Sequence, residues 1–170
     1  RRIATVRDET SWISKIITLI AVVVPPLGAL AAALNWWGVY FSWVDLVAGV
    51  VFYVGCGLGI TVGYHRLFSH KSFKTKQPVR ALFAILGSMT IQGPLTQWVT
   101  DHRKHHAMSD SAGDPHSPHV GRDGDHHGIV GLWWAHMGWL FRTKGMERGE
   151  IWGRDLFHAP MTRRIDRLYL

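Results

Sequence analysis

The chain has 170 residues, a formal net charge of +7 and one cysteine, Cys56. A single cysteine excludes an internal disulfide, and its position in an apolar run is typical of a small buried hydrophobe rather than a reactive thiol. The positive charge does not indicate nucleic-acid binding, because the sequence has no nucleic-acid motif and its basic residues flank apolar segments. The chain has eleven histidines and nine tryptophans, and both of these unusual counts need a functional explanation.

Two uncharged segments predict a transmembrane hairpin. Residues 16–34 and 46–64 carry no charged side chain, and as helices each would be about 28 Å long, close to the thickness of the bilayer hydrocarbon core. We therefore expect transmembrane helices over 13–34 and 45–64. The first run is followed by aromatic residues typical of a membrane interface, rather than by the small residues of a signal-peptide cleavage site. These aromatic residues are Trp36, Trp37, Tyr40 and Trp43.

Proline and glycine residues shape the two predicted helices. Pro25 and Pro26 fall within the first helix, where their missing N–H groups predict a kink. Glycine recurs along the second helix, and small residues allow helices in lipid to approach one another closely. The glycines are Gly49, Gly55, Gly57, Gly59 and Gly63.

The distribution of basic residues predicts the orientation of the hairpin. Both of its flanks are basic, whereas the connecting segment 35–44 has no lysine or arginine. By the positive-inside rule both flanks lie in the cytoplasm, so the chain from His65 onward begins at the cytosolic face. The basic residues are Arg1, Arg2, Arg7 and Lys15 before the hairpin, and Arg66, Lys71, Lys74, Lys76 and Arg80 after it.

The apolar segment 79–99 admits two interpretations. It is long enough for a third span, but glycine, glutamine and proline interrupt it around Gly93. We favour a helix that lies in the membrane interface or is buried against protein, because a third span would place His102 and His65 on opposite sides of the membrane. The remaining segments are predicted to be a turn-rich loop over 109–128, an aromatic helix over 129–141 and an amphipathic segment over 146–170.

Five histidines form two clusters with the spacing of metal ligands. His65 and His70 are five residues apart, about 140° on a straight α-helix, so they share a site only if the helix ends there or the metal lies between two walls. His102, His105 and His106 fall on one helix face within about one turn. Three imidazoles on one face suit a core poorly but are good ligands for zinc, copper, iron or nickel. We therefore predict that all five bind metal.

Five of the other six histidines favour a role without metal, because they lie in the turn-rich loop without helical spacing or among tryptophans. They are His116, His119, His126, His127 and His136. Two carboxylates are candidate hydrogen-bond acceptors that would orient ligand histidines from behind the metal site. These are Asp101 and Asp114.

The two clusters resemble known sequence motifs. HRLFSH at 65–70 and HRKHH at 102–106 resemble the first and second histidine boxes, HxxxxH and HxxHH, of membrane fatty acyl desaturases. The acyl-CoA Δ9 branch of that family is the most similar, because it shares GYHRLFSHKSFK, QWVTDHRKHH, AGDPHSP and AHMGWLF in this order. The resemblance covers residues 10–170 and identifies the chain as the N-terminal portion of such an enzyme.

The resemblance implies an all-α integral membrane fold, with four transmembrane helices and a cytosolic helical cap that holds two irons. The implied function is O2-dependent desaturation of a long-chain acyl group on CoA or another carrier, with electrons from a separate ferredoxin, cytochrome b5 or flavin reductase. Breaking an aliphatic C–H bond favours a redox metal over zinc. Residues 1–170 would form one partial desaturase domain, with 65–170 in the cap. The family's third box is absent after His106, so we expect the chain to be inactive alone.

The resemblance also implies residues that contact substrate. Trp98 lies one helical turn before His102, and together with Gln92 it matches residues that wall the substrate channel. Thr100 stands where animal acyl-CoA enzymes often carry an arginine, which leaves open whether the carrier is CoA, a lipid or a protein. The basic residues expected at the head group of the acyl carrier are Arg80, Arg142 and Lys144.

Two other functions are compatible with the sequence. One is a hydroxylase or ketolase with similar histidine boxes, in which the same metal site gives a different product. The other is a non-enzymatic membrane protein that binds metal or anchors haem, and that would complete its metal site from these histidines alone.

Overall fold

The computed structural model describes residues 11–111, 114, 116–121, 124–125, 127–141 and 149–169. Within them the fold is all-α, as predicted, apart from a short antiparallel ladder between β1 (Val120–Gly121) and β2 (Gly124–Asp125). The helices are α1 (Trp12–Asn35), α2 (Trp43–Leu58), a π-helix (Gly59–Ser69), α3 (Gln77–Ser88), α4 (Leu95–Ala107), α5 (Gly128–His136), a 3-10 helix (Gly138–Phe141), α6 (Gly149–Trp152), α7 (Arg154–Phe157) and α8 (Pro160–Leu168).

The N-terminal hairpin consists of α1 and of the continuous helix that α2 forms with the π-helix. Both are long and apolar enough to cross a membrane, over Lys15–Asn35 and Trp43–Ser69. The second span is longer than predicted and includes His65. α1 is helical through Pro25 and Pro26. Within α2, which the structure describes in full, no residue is buried, as is usual for an apolar helix whose partner is lipid or another membrane helix.

Glycines let the π-helix pack closely on α3. A Cβ atom at Gly59 would collide with the backbone nitrogen of Gly87. A Cβ atom at Gly87 would in turn collide with the ring of Tyr64, which is fully buried. By contrast, no described atom lies within 4 Å of a Cβ built at Gly49 or Gly57. The close approach expected from the glycines therefore occurs in the C-terminal part of the helix.

The segment 79–99 forms parts of two helices rather than a third span. Between α3 and α4 the chain turns through Ile91 and Gly93, whose φ angles of 59° and 108° are left-handed. Glycine adopts such angles without a steric cost. α3 packs on the π-helix and α4 returns to it, which brings the rings of His102 and His65 to a centroid distance of 4.7 Å. α3 thus packs on protein through one face, at Ala84 and Gly87, and leaves Leu82 and Ile85 about half exposed, which agrees with the interfacial or protein-packed helix favoured above.

The core lies where the π-helix, α3, α4 and α8 meet. α8 closes the N-terminus of α4, because the carboxylate of Asp166 accepts the N–H of Thr96 at 3.3 and 3.4 Å. The hydroxyl of Tyr169 accepts the N–H of Gly93 at 2.9 Å. The first contact provides a partner for a backbone donor that a helix start leaves free, and the second fixes the turn that precedes α4. The buried apolar residues are Tyr64, Leu67, Phe68, Ala84, Leu95, Val99 and Leu156.

Candidate metal centre

Four histidine side chains converge where the π-helix meets α4. Nε2 of His70 lies 3.2 Å from Nε2 of His65 and 3.4 Å from Nε2 of His102. Nε2 of His106 lies 3.0 Å from Nε2 of His102. The four candidate ligand atoms all lie within 4.8 Å of one another. We call these residues the four-histidine cluster.

The donor set of this cluster fits a metal ion. Imidazole nitrogens bind zinc at about 2.0–2.1 Å, so neighbouring ligands of a tetrahedral site are about 3.4 Å apart. The shortest separations in the cluster, 3.0 to 3.4 Å, are close to this value. Imidazole also suits iron, copper and nickel, so the geometry fits this class of metals without selecting one of them.

The π-helix explains how His65 and His70 meet. The backbone N–H of His70 donates to the carbonyl of His65 at 3.0 Å, which closes a turn from residue i to residue i+5. This wider turn brings together side chains that a straight α-helix would hold far apart, and π-turns are frequent at functional sites. The helix also ends at Ser69. Such a helix end is one of the two conditions under which the sequence predicts that His65 and His70 share a site.

α4 presents its histidines to two different places. His102 and His106 face the cluster, whereas Nδ1 of His105 lies 2.8 Å from Oδ1 of Asp114, whose side chain is fully buried. The ring of His116 stacks on that of His105 at a centroid distance of 4.1 Å. His105, Asp114 and His116 form a second group of potential ligands. The sequence predicted neither this separation of His105 nor the place of His116.

Burial keeps two rings of the cluster, those of His102 and His106, in the protonation state that binds metal. Burial, reinforced by the positive charge of neighbouring histidines, lowers the pKa of His102 to about 3. Burial and the charges of His70 and His105 also lower the pKa of His106. Neutral imidazole is the form that ligates metals. At neutral pH these two rings can therefore act as ligands without first losing a proton.

Trp98 lies directly against the cluster. Its ring stacks on that of His102, with a centroid distance of 4.8 Å and an interplanar angle of 23°. It also makes an edge contact with Tyr64 at 5.6 Å. The indole N–H donates to Oε1 of Gln92 at 3.1 Å. The structure thus places Trp98 beside the histidines, and within the described part of the chain Gln92 contacts the cluster only through its hydrogen bond to this indole.

The other predicted site residues have different surroundings. The side-chain amide of Gln97 donates to both oxygens of Asp101 at 2.8 Å. The guanidinium of Arg80 lies over the ring of Phe68, 4.9 Å from its centroid, at the wall of a groove of about 390 Å³. Two predicted residues lie outside the described part of the chain, namely Arg142 and Lys144.

Sequence reasoning missed Arg103, which lies between the histidines of the second box. Its guanidinium bonds to the end of the π-helix and forms an ion pair with Asp155, at 2.6 Å between Nη1 and Oδ1. The two residues are 52 positions apart. A charged residue on a helix usually faces solvent, so no local pattern in the sequence distinguishes this arginine from an exposed one.

Fold and site together define a helical membrane protein with histidine clusters suited to metal. No protein-family model matches the chain. It is 43% identical over 121 residues to the hex-5-enoyl-[acyl-carrier protein] acetylenase of Moorena producens (strain JHB), covering 69% of this chain and 37% of that protein. It is 42% identical over 103 residues to Delta-9 acyl-lipid desaturase 1 of Arabidopsis thaliana, covering 61% and 30%. It is 35% identical over 138 residues to Delta(9)-fatty-acid desaturase fat-7 of Caenorhabditis elegans, covering 78% and 38%.

These similarities extend over more than half of the chain at 35 to 43% identity. The chain belongs to the membrane fatty acid desaturase family, which confirms the resemblance carried by its histidine boxes. It spans between 30% and 38% of the length of these three relatives.

Proposed function

We propose that the protein to which this chain contributes is an O2-dependent desaturase of Δ9 type that acts on a long-chain acyl-CoA. The observation that carries the proposal is the four-histidine cluster at the end of a helix long enough to span the membrane. A metal held there would lie at the bilayer surface, where an acyl chain can reach it from lipid. Two of the relatives described above are named as Δ9 desaturases, which supports this reaction.

The proposed site holds two irons. His65, His70, His102 and His106 would bind one, and His105 would bind the second together with ligands from elsewhere in the whole protein. Iron supplies the redox chemistry for unactivated C–H bonds, which acid–base side chains cannot supply. Overall, –CH2–CH2–, O2, two electrons and two protons become –CH=CH– and two water molecules. The electrons would come from a separate ferredoxin, cytochrome b5 or flavin reductase.

The side chains around the cluster would position ligands and substrate. The carboxylate of Asp114 accepts the Nδ1–H of His105 and so leaves Nε2 of that ring free to bind metal. Trp98 and Gln92 would wall the acyl chain, because stacking on His102 and the indole–amide hydrogen bond hold the tryptophan beside the cluster. The basic residues that would meet the head group of the acyl carrier are Arg80, Arg142 and Lys144.

In the proposed topology the hairpin spans the bilayer, and the N-terminus and residues 65–170 lie on the cytoplasmic side. The basic flanks and the uncharged connection support this orientation. Single cysteines placed at Val39 and Lys74, in a Cys56→Ala background, can test it in intact cells. A membrane-impermeant maleimide should label position 39 at once and position 74 only after the membrane is opened. Labelling of position 74 from outside would refute the topology.

Product analysis tests the reaction. The full-length protein would be expressed in cells that lack their own Δ9 desaturase, and the acyl chains analysed by mass spectrometry with derivatisation that locates double bonds. A new double bond at the Δ9 position supports the proposal. A hydroxyl or keto product would indicate the alternative oxidase, and a triple bond the chemistry for which the Moorena relative is named. Unchanged lipids with iron bound would indicate a non-enzymatic metal protein.

A further inference from the structure

Arg103 lies between the ligand histidines of α4, but its side chain reaches the helix that carries the other pair. Nη2 donates to the carbonyl of Phe68 at 2.7 Å, and Nε donates to the carbonyl of Ser69 at 3.1 Å. These are the last carbonyls of the π-helix, and helix ends leave such groups without partners inside the helix. The carbonyl of Ser69 belongs to the peptide bond that precedes His70. The two bonds therefore fix the backbone from which His70 projects.

The same guanidinium is anchored to the segment that contains α6 and α7. Nη1 donates to the carbonyl of Trp152 at 2.9 Å and to Oδ1 of Asp155 at 2.6 Å, and Nη2 donates to Oδ2 at 3.2 Å. Arginine has five N–H donors, and these contacts use all of them. Lys71 also pairs with Asp155, at 2.9 Å. Partial burial acts to raise the pKa of Asp155, but the hydrogen bonds from Arg103 and Lys71 outweigh it and hold the pKa well below its usual range.

We infer that Arg103 is a positioning residue that sets the separation between the histidine pair on the π-helix and the pair on α4. The backbone of Arg103 moves with α4, while its guanidinium is tied to the end of the π-helix and held in plane by Asp155. Its side chain is only 18% exposed, so solvent competes little for these bonds. The ammonium of lysine is a point charge without the planar fork, and it cannot hold two successive carbonyls and a carboxylate together.

Metal binding by the purified full-length protein tests this inference, which rests on the proposed metal site. Co2+ would be titrated into metal-free protein while its visible ligand-field absorption is recorded. Partners that orient metal ligands typically contribute about 10- to 100-fold to affinity, so Arg103→Lys should weaken Co2+ binding by about that factor and change the absorption spectrum. Asp155→Asn should show a smaller loss in the same direction. Arg154→Lys is the matched control, because Arg154 is exposed beside Asp155.

Thermal unfolding of the metal-free variants separates positioning from stability. Reduced affinity and an altered spectrum at an unchanged melting temperature support the inference. If Arg103→Lys does not fold, the metal affinity of Asp155→Asn tests the inference instead. This variant keeps the bonds from Arg103 to the carbonyls of Phe68 and Ser69. The inference is overturned if Asp155→Asn, and Arg103→Lys where it folds, bind Co2+ with the affinity and the spectrum of the unmodified protein. The proposed metal site itself fails in a different way, if His102→Ala binds Co2+ as well as the unmodified protein does.

Discussion

The two ends of one continuous helix have opposite surroundings. In α2 the apolar side chains are open, with Phe52 60% and Tyr53 80% exposed. In the π-helix Tyr64 and Phe68 are 0% and 1% exposed. The backbone changes from α to π at Gly59, where the helix first approaches α3 closely. Among the described residues the apolar half thus has few neighbours, and the core forms at the end where the polar histidines cluster.

The largest effect should follow from removing a ligand of the four-histidine cluster, which lies where the end of this helix meets α4. In the full-length protein, His70→Ala and His102→Ala should each abolish turnover and lower the bound iron, because each removes one of four converging imidazoles. His136→Ala is the control, since its Nδ1 donates to the carbonyl of Leu132 within α5 at 2.9 Å. Iron content and product formation should be measured on the same samples. Near-normal turnover in both cluster variants would refute the ligand assignment.

Removing Trp98, the tryptophan beside the cluster, should have a smaller effect than removing a ligand histidine. Trp98→Ala should leave iron bound but reduce turnover by up to about 100-fold, the cost that a misplaced reactant can carry, or shift the double-bond position. Trp133→Ala, at a residue 60% exposed on α5, should change neither. Rates and double-bond positions are read from the products. If Trp98→Ala leaves both unchanged, the tryptophan only anchors the helix at the interface.

One pair of glycine substitutions tests whether the two ends of the helix differ in packing. Gly59→Ala should destabilise the protein by about 1–3 kcal/mol, the usual cost of overpacking, because the new methyl group meets the backbone of Gly87. Gly49→Ala has open space around its Cβ and should be neutral or stabilise the helix by up to about 1 kcal/mol. Unfolding in detergent with increasing denaturant measures both. Equal losses would show that the two ends are packed alike.

The smallest effect concerns the contact between α8 and α4. Asp166→Ala should cost about 1 kcal/mol, the typical value for loss of a carboxylate that caps a helix start. Arg163→Ala, at an exposed residue of the same helix, is the control and should cost less. Melting temperatures measured under identical detergent conditions give the difference. The same loss in both variants would mean that α8 contributes through its packing alone.

The features that sequence predicted correctly depend on short-range patterns. Apolar length and composition identified the two candidate spans, and the spacing i, i+4 placed His102 and His106 on one face of α4. The interruption around Gly93 indicated a break rather than a span, and the chain does turn there, at a left-handed φ that glycine adopts without a steric cost. The motif order carried the family assignment, which the relatives confirm.

The features that sequence did not predict depend on long-range contacts. The π-turn at His65 and His70 accompanies the packing on α3, and an i, i+5 spacing alone does not distinguish it from a helix end. Sequence suggested Asp114 as a partner of a ligand histidine, but not that its partner is His105 or that this ring turns away from the four-histidine cluster. The role of Arg103 depends on partners 34 to 52 positions away. Each of these contacts is made only once the chain has folded, so local periodicity contains no trace of them.

Iron X-ray absorption of the purified full-length protein tests most directly the central claim, that four imidazoles of this chain hold one metal. We expect nitrogen neighbours at about 2.1 Å, the range of metal–imidazole bonds, with the outer scattering pattern of imidazole rings. His70→Ala should lose iron or part of that pattern, while His136→Ala keeps it. Sulfur neighbours, or an imidazole pattern that stays unchanged in His70→Ala and His102→Ala with iron still bound, would contradict the claim.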